Sequence, residues 1–189
     1  KVEPLEPEIA EMCRNGTLSE MKDKKETAQI LRDHGWEPDV AKKVMRFDSR
    51  GNIMINGTRG VQFVDESSDS LLSGFDDVMS EGGLTKEQVR DCKFTFTHFV
   101  PHEDTAHRGL SQLGPASRRA CLAAFLSAQP MILEPMLAIE VRVPTDLIGN
   151  VSSVLQGKRG KVLDMQQKGA ASIVIGEIPA VETFDISEK

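Results

Sequence analysis

The sequence has no tyrosine, a single tryptophan and only three cysteines in 189 residues. Cys13, Cys92 and Cys121 are odd in number, far apart and form no CxxC pair. That argues against a disulfide framework or zinc knuckle and for reduced thiols in the cytosol. No apolar run approaches the roughly 18 residues of a membrane span, and no secretory signal is present. A surplus of positive charge is also missing: the net charge of −6 argues against a generally basic nucleic-acid coat. There is no HExxH helix and no Ser-His-Asp elbow. Gly157-Lys158-Arg159-Gly160 lacks the upstream glycine and the Ser or Thr of a P-loop, and reads as a basic turn. Repeats and low-complexity tracts are absent, as is an initiator methionine, so the chain is read as a fragment or processed product. With 39% hydrophobic and 28% charged residues, it has the balance of a soluble globular protein of one large or two small domains.

The hydrophobic spacing lays out the elements. Val2 to Pro7 reads as a strand end entering a proline turn, and Glu8 to Cys13 as a short helix ended by Asn15-Gly16. Thr17 or Ser19 is placed to cap a second helix running to Asp33, stopped by Gly35, with His34 favourable at its negative end. Asp39 is placed to cap a short helix carrying Val40 and Val44. Ile53 to Ile55 forms a short strand or loop among glycine and asparagine punctuators.

Val61, Val64, Leu71, Leu72, Phe75, Val78 and Met79 recur at helical spacing; Asp65, Glu66, Asp69, Asp76 and Asp77 are then a solvated opposite face. Lys93 to Val100 alternates as a strand, with Phe94, Phe96, His98 and Val100 on the buried side, which makes His98 a core histidine. Pro115 is placed to start a helix reaching Ala128, with Ala120, Cys121, Ala124 and Phe125 inward. Cys121 is thereby a poor nucleophile. After a connector at 129–135, strand 136–143, helix 146–156 and strands 161–166 and 172–178 form a β-α-β-β series. It matches the first two thirds of a ferredoxin-like unit, whose last helix and strand are missing.

One loop concentrates chemistry: His102-Glu103-Asp104-Thr105-Ala106-His107-Arg108-Gly109. A polar, charge-mixed loop between two ordered elements is a usual place for function. Two chemistries compete with a solvated turn of no role. His102, Asp104 and His107 offer two imidazoles and a carboxylate to a metal, the arrangement a metal-dependent hydrolase would use. Alternatively, Arg108 and the Arg118-Arg119 pair can contact phosphates, Gly109 admits close backbone approach, and His107 can stack or donate. Residues 105–120 carry a local +3, and so do residues 156–168 through Lys158, Arg159, Lys161 and Lys168 against Asp164.

Four segments occur here in the order found in archaeal and eukaryotic translation elongation factor 2. They are VEPLEPEI (Val2 to Ile9), HEDTAHRG (His102 to Gly109), AQPMILEP (Ala128 to Pro135) and GKRGKVLD (Gly157 to Asp164). NGTRGVQF (Asn56 to Phe63) resembles the family's segment before its long helix. Together they cover nearly the whole chain, and Lys161 to Gln167 resembles the archaeal branch most.

The resemblance implies an α+β fold. Residues 1–130 would be a two-layer α/β domain with a left-handed βαβ crossover, the family's fourth domain. Residues 131–189 would be an incomplete, ferredoxin-like fifth domain. It implies a ribosome-binding, tRNA-mimicking part of a GTPase that moves tRNA and mRNA. The G domain is absent here, so the fragment would not be an enzyme and would hold no cofactor; GTP and magnesium belong to the parent.

His107 aligns with the histidine modified to diphthamide, which toxins ADP-ribosylate. The ribosome- or RNA-contacting set implied is His102, Asp104, His107, Arg108, Gly109, Gln112, Arg118, Arg119, Lys158 and Arg159, with Lys161 beside them. Partners would be decoding-site rRNA with mRNA and tRNA, the diphthamide-synthesis enzymes and such toxins, in the cytoplasm and without a membrane. Two departures bear on recognition by those enzymes: Ala106 replaces a usual isoleucine, and Leu110-Ser111 a eukaryotic glycine pair.

Overall fold

The computed structural model describes residues 1–184, of Lys168 the backbone only. The chain divides into two compact units, Lys1–Pro130 and Met131–Lys189.

The first unit is organised by a four-stranded mixed sheet. Its strands are β1 (Val2–Pro4), β2 (Val44–Asp48), β3 (Asn52–Asn56) and β4 (Cys92–Phe96), in the order β1-β4-β3-β2. Only β3 and β4 run parallel, and α4 (Ser68–Glu81) lies between them in sequence as the crossover. Ile53, Met54 and Ile55 are all buried, because the sheet is covered on both faces. Alternation sends Ile53 and Ile55 into one core with α1 (Pro7–Arg14), α2 (Lys24–Asp33) and α3 (Pro38–Ala41). Met54 and Phe94 enter a second core with α4 and α5 (Leu110–Ser127). The α+β class is as expected, and the short N-terminal helices add a third layer to the two expected.

Several boundaries differ from the sequence reading for local reasons. Asp23, not Thr17 or Ser19, caps α2, accepting from the Lys25 amide at 2.7 Å. Val44 opens β2 instead of riding a helix. Val61 and Val64 precede α4, which begins only at Ser68. β4 ends at Phe96, so His98 is exposed, not a core histidine, and Val100 is 78% exposed. Helix α5 starts at Leu110 and carries Pro115 inside it, while Ala120 faces solvent. A proline in the second turn forfeits one backbone bond, which the packing of α5 on α4 offsets.

The second unit is an antiparallel sheet of β5 (Met136–Pro144), β6 (Lys161–Lys168) and β7 (Ala171–Pro179), in the order β5-β7-β6. Helix α6 (Ile148–Gly157) follows β5, giving the β-α-β-β series expected. Leu155, Val174 and Ile178 form its small core.

Candidate nucleic-acid interface

Because β3 and β4 are parallel neighbours, the chain leaves both at the same end of the sheet. Two loops therefore emerge side by side, one after Asn56 and one after Phe96, tied by the Gly57 amide donating to the Phe96 carbonyl at 2.8 Å. The second carries the histidine cluster.

That loop is built turn upon turn. Asp104 caps a single 3-10 turn, Thr105–His107, by accepting from the Ala106 amide at 2.9 Å. The Asp104 amide in turn donates to His102 Nδ1 at 3.0 Å. His102 Nδ1 is thus occupied as an acceptor, which fixes the orientation of the ring. The His102 and His107 rings meet edge to face, centroids 4.6 Å apart. His107 is exposed, and its side chain makes no hydrogen bond among the described residues.

Arg108 points the other way. It is 7% exposed, and its guanidinium lies over the Phe63 ring at 4.0 Å from the centroid. Nη1 donates to the carbonyls of His102 and Glu103 at 2.8 and 2.7 Å, and Nη2 to Glu66 Oε2 at 3.2 Å. The residue expected to reach phosphate is instead committed inside the loop. Gln112 is committed too: with its amide oriented to satisfy the surroundings, its nitrogen donates to the Ala106 and His107 carbonyls at 3.1 Å. Gly109 stands at the N-cap of α5 with an ordinary φ of −72° and open space where a side chain would go. Nothing within the fold requires a glycine there.

The other expected cations are scattered. Arg118 and Arg119 lie along α5, roughly 15 Å up the helix axis from Arg108 at about 1.5 Å per residue. Arg118 faces Glu81 at 3.8 Å, while Arg119 is exposed. The remaining three belong to the second unit. Lys158 is buried at the end of α6, only 6% exposed. Arg159 is held by Glu134 at 2.7 and 3.1 Å and by Glu182 at 3.0 Å. Lys161, at the start of β6, is exposed. Burial and internal pairing thus remove Lys158 and Arg159 from the freely presented cations.

Sequence reasoning missed Phe63, placed only in the segment ahead of the long helix, and Glu66, assigned to that helix's solvated face. Their one signal was the placement of Asn56 to Phe63 ahead of that helix. The hydrolase alternative finds no support: among the described residues, no three His, Cys, Asp or Glu side chains gather as metal ligands. No helix of the described residues is long and apolar enough to cross a membrane.

A family model described as "Elongation factor G, domain IV" matches residues 14–129, and one described as "Elongation factor G C-terminus" matches residues 131–189. The chain belongs to the elongation factor G domain IV family. Relatives within that kinship are named Elongation factor 2. The protein of that name from Cenarchaeum symbiosum is 68% identical over all 189 residues. Those from Sulfurisphaera tokodaii and Desulfurococcus amylolyticus are 43% and 44% identical over 100% and 99% of the chain. The chain spans 26% of the length of each of these relatives. As an elongation factor domain pair, it resembles their archaeal branch.

Proposed function

We propose that this chain is the decoding-site-facing portion of an elongation factor 2, a translational GTPase that promotes movement of tRNA and mRNA on the ribosome. The observation that carries the reading is His107. It is an exposed imidazole with no internal hydrogen bond, on a loop in which the His102, Asp104 and Arg108 side chains are bonded from within. A side chain so displayed is available to RNA and to modifying enzymes, and identity of 68% to a protein named Elongation factor 2 supports the assignment.

In this reading His107 carries diphthamide, whose added cation extends the tip toward RNA. Diphthamide-synthesis enzymes and ADP-ribosylating toxins recognise the same loop, and the site of action is the cytoplasm. GTP and magnesium serve a G domain outside this chain, and the chain's own residues make or break no bond. Exposed Arg119 and Lys161 are the cations best placed to meet rRNA phosphates.

The test is single-turnover translocation by the full-length factor. His107→Ala is expected to slow it about tenfold, equivalent to ~1.4 kcal/mol on the barrier. Translocation at the unaltered rate would defeat the proposal.

A further inference from the structure

We infer that Arg108, Phe63 and Glu66 are positioning residues that fix the shape of the His107 loop, and that Arg108 acts through the loop, not by touching RNA. The inference rests on the proposed role of His107 and explains how that side chain is presented.

Arg108 directs three of its five N–H donors inside the protein, and its side chain is buried. Nη1 serves two successive carbonyls, His102 and Glu103, so the outgoing arm of the loop is drawn onto one guanidinium. Nη2 reaches Glu66, and the planar face lies on Phe63. A lysine could not reproduce this, because a single ammonium lacks the planar fork and the stacking face. Glu66 is itself mostly exposed, so it orients the fork more than it buries charge.

Phe63 supplies the second, independent observation. Its φ of 63° lies in the left-handed region, which a residue with a Cβ adopts only under constraint. Such strain persists where the surroundings over-determine it, often near functional sites. Here the constrained backbone sets the ring beneath the guanidinium. The first loop thus acts as a platform for the second. On the far side, Gln112 holds the Ala106 and His107 carbonyls. The backbone of residues 102–107 is drawn inward from both flanks, leaving the His107 ring outside.

Amide hydrogen exchange in the 189-residue chain tests this. The amides to watch are Ala106, bonded to Asp104 Oδ1, and His107, bonded to the Asp104 carbonyl. Arg108→Met removes the donors and the charge. Phe63→Gly removes the ring while leaving the left-handed backbone at ease. Both variants are expected to speed exchange at those amides tenfold or more, with β3 and α4 amides still protected. Unchanged loop exchange in a folded Arg108→Met variant overturns the inference. If that variant does not fold, Phe63→Gly decides by the same criterion.

A second arm uses the full-length factor and ribosomes. Positioning predicts that Arg108→Met slows translocation while the salt slope of ribosome binding stays the same. A slope reduced by about one would mark a direct phosphate contact and overturn the inference. His107→Ala in the same assay keeps the two ideas apart. If it has no effect, the role of His107 falls, while the exchange data still judge the platform.

Discussion

Among single residues, the buried polar groups show how closely this fold satisfies itself. Asn52 is fully buried in β3, yet both its amide hydrogens and its carbonyl oxygen are bonded. Its Nδ2 donates to Asp48 and to the Val89 carbonyl at 2.7 and 2.8 Å, and its Oδ1 accepts from the Cys92 amide at 3.0 Å. It joins the β2–β3 turn to the entry of β4, where an apolar residue would strand the Val89 carbonyl and the Cys92 amide, while Asp48 keeps its bonds from Arg50. The cysteines beside it are kept neutral. Burial, reinforced by Asp48, pushes the Cys13 thiol up to about 12, and burial, reinforced by Asp91, pushes Cys92 up to about 11. Since the thiolate is the reactive form, iodoacetamide at pH 8 should label the folded chain at under a tenth of the unfolded rate. Quick labelling of native protein would contradict this. The linkage has the same sign: a raised folded pKa contributes stability that is intact below about 9 and is lost as pH climbs toward 11 or 12. A denaturation midpoint that held steady over that range would show these thiols to be less enclosed.

At the level of elements, the crossing of α4 and α5 sets how the helix behind the tip loop is seated. Small residues let the backbones approach: a Cβ on Gly74 would meet the Arg118 amide nitrogen and the Gly114 carbonyl at 2.5 Å. Ser117 Oγ donates to the Leu71 carbonyl across the crossing at 2.6 Å. Gly74→Ala gains about 0.5–1 kcal/mol of helix propensity. The clash is with backbone, which cannot swing aside, so overpacking of about 1–3 kcal/mol wins and the variant should be less stable. Gly149→Ala near the start of α6 meets nothing within 4 Å, so propensity alone applies, with a gain of about 0.5 kcal/mol. Urea midpoints of the two variants would check this, and shifts of the same sign would refute the crossing geometry. Such close approaches explain what was legible in the sequence. The apolar period revealed α4 and the alternation revealed β4, because both follow from burial of one face. The end of β4 at Phe96 was hidden, since His98 and Val100 continue the alternation in a loop that leaves the sheet. Likewise, Arg108 read as a free cation, because charge is visible in a sequence while the carbonyls that consume its donors are brought by the fold.

Across the whole molecule, the two units differ in how much core secures them. The first buries two clusters, of ten and eight side chains, on opposite faces of one sheet. Loss of either face uncovers β3, so the two clusters should fail together. Among its described residues the second unit has three fully buried core side chains, Leu155, Val174 and Ile178, with four partly buried neighbours. It also leaves Leu163, Met165 and Val181 about half exposed or more. A unit of this size, below about 70–80 residues, rarely draws more than ~3–5 kcal/mol from one core. The residues that hold the His107 loop, Phe63, Glu66, Arg108 and Gln112, all lie within the better-secured unit, Lys1–Pro130. Unfolding should therefore occur in two steps as urea rises. Amides of β7 should lose protection first, while those of β3 and the His107 loop remain slow. Residue-resolved hydrogen exchange across a urea series would measure both. A single shared midpoint for β7 and β3 would mean that the units unfold as one, and that the shape of the tip depends on the smaller core as well.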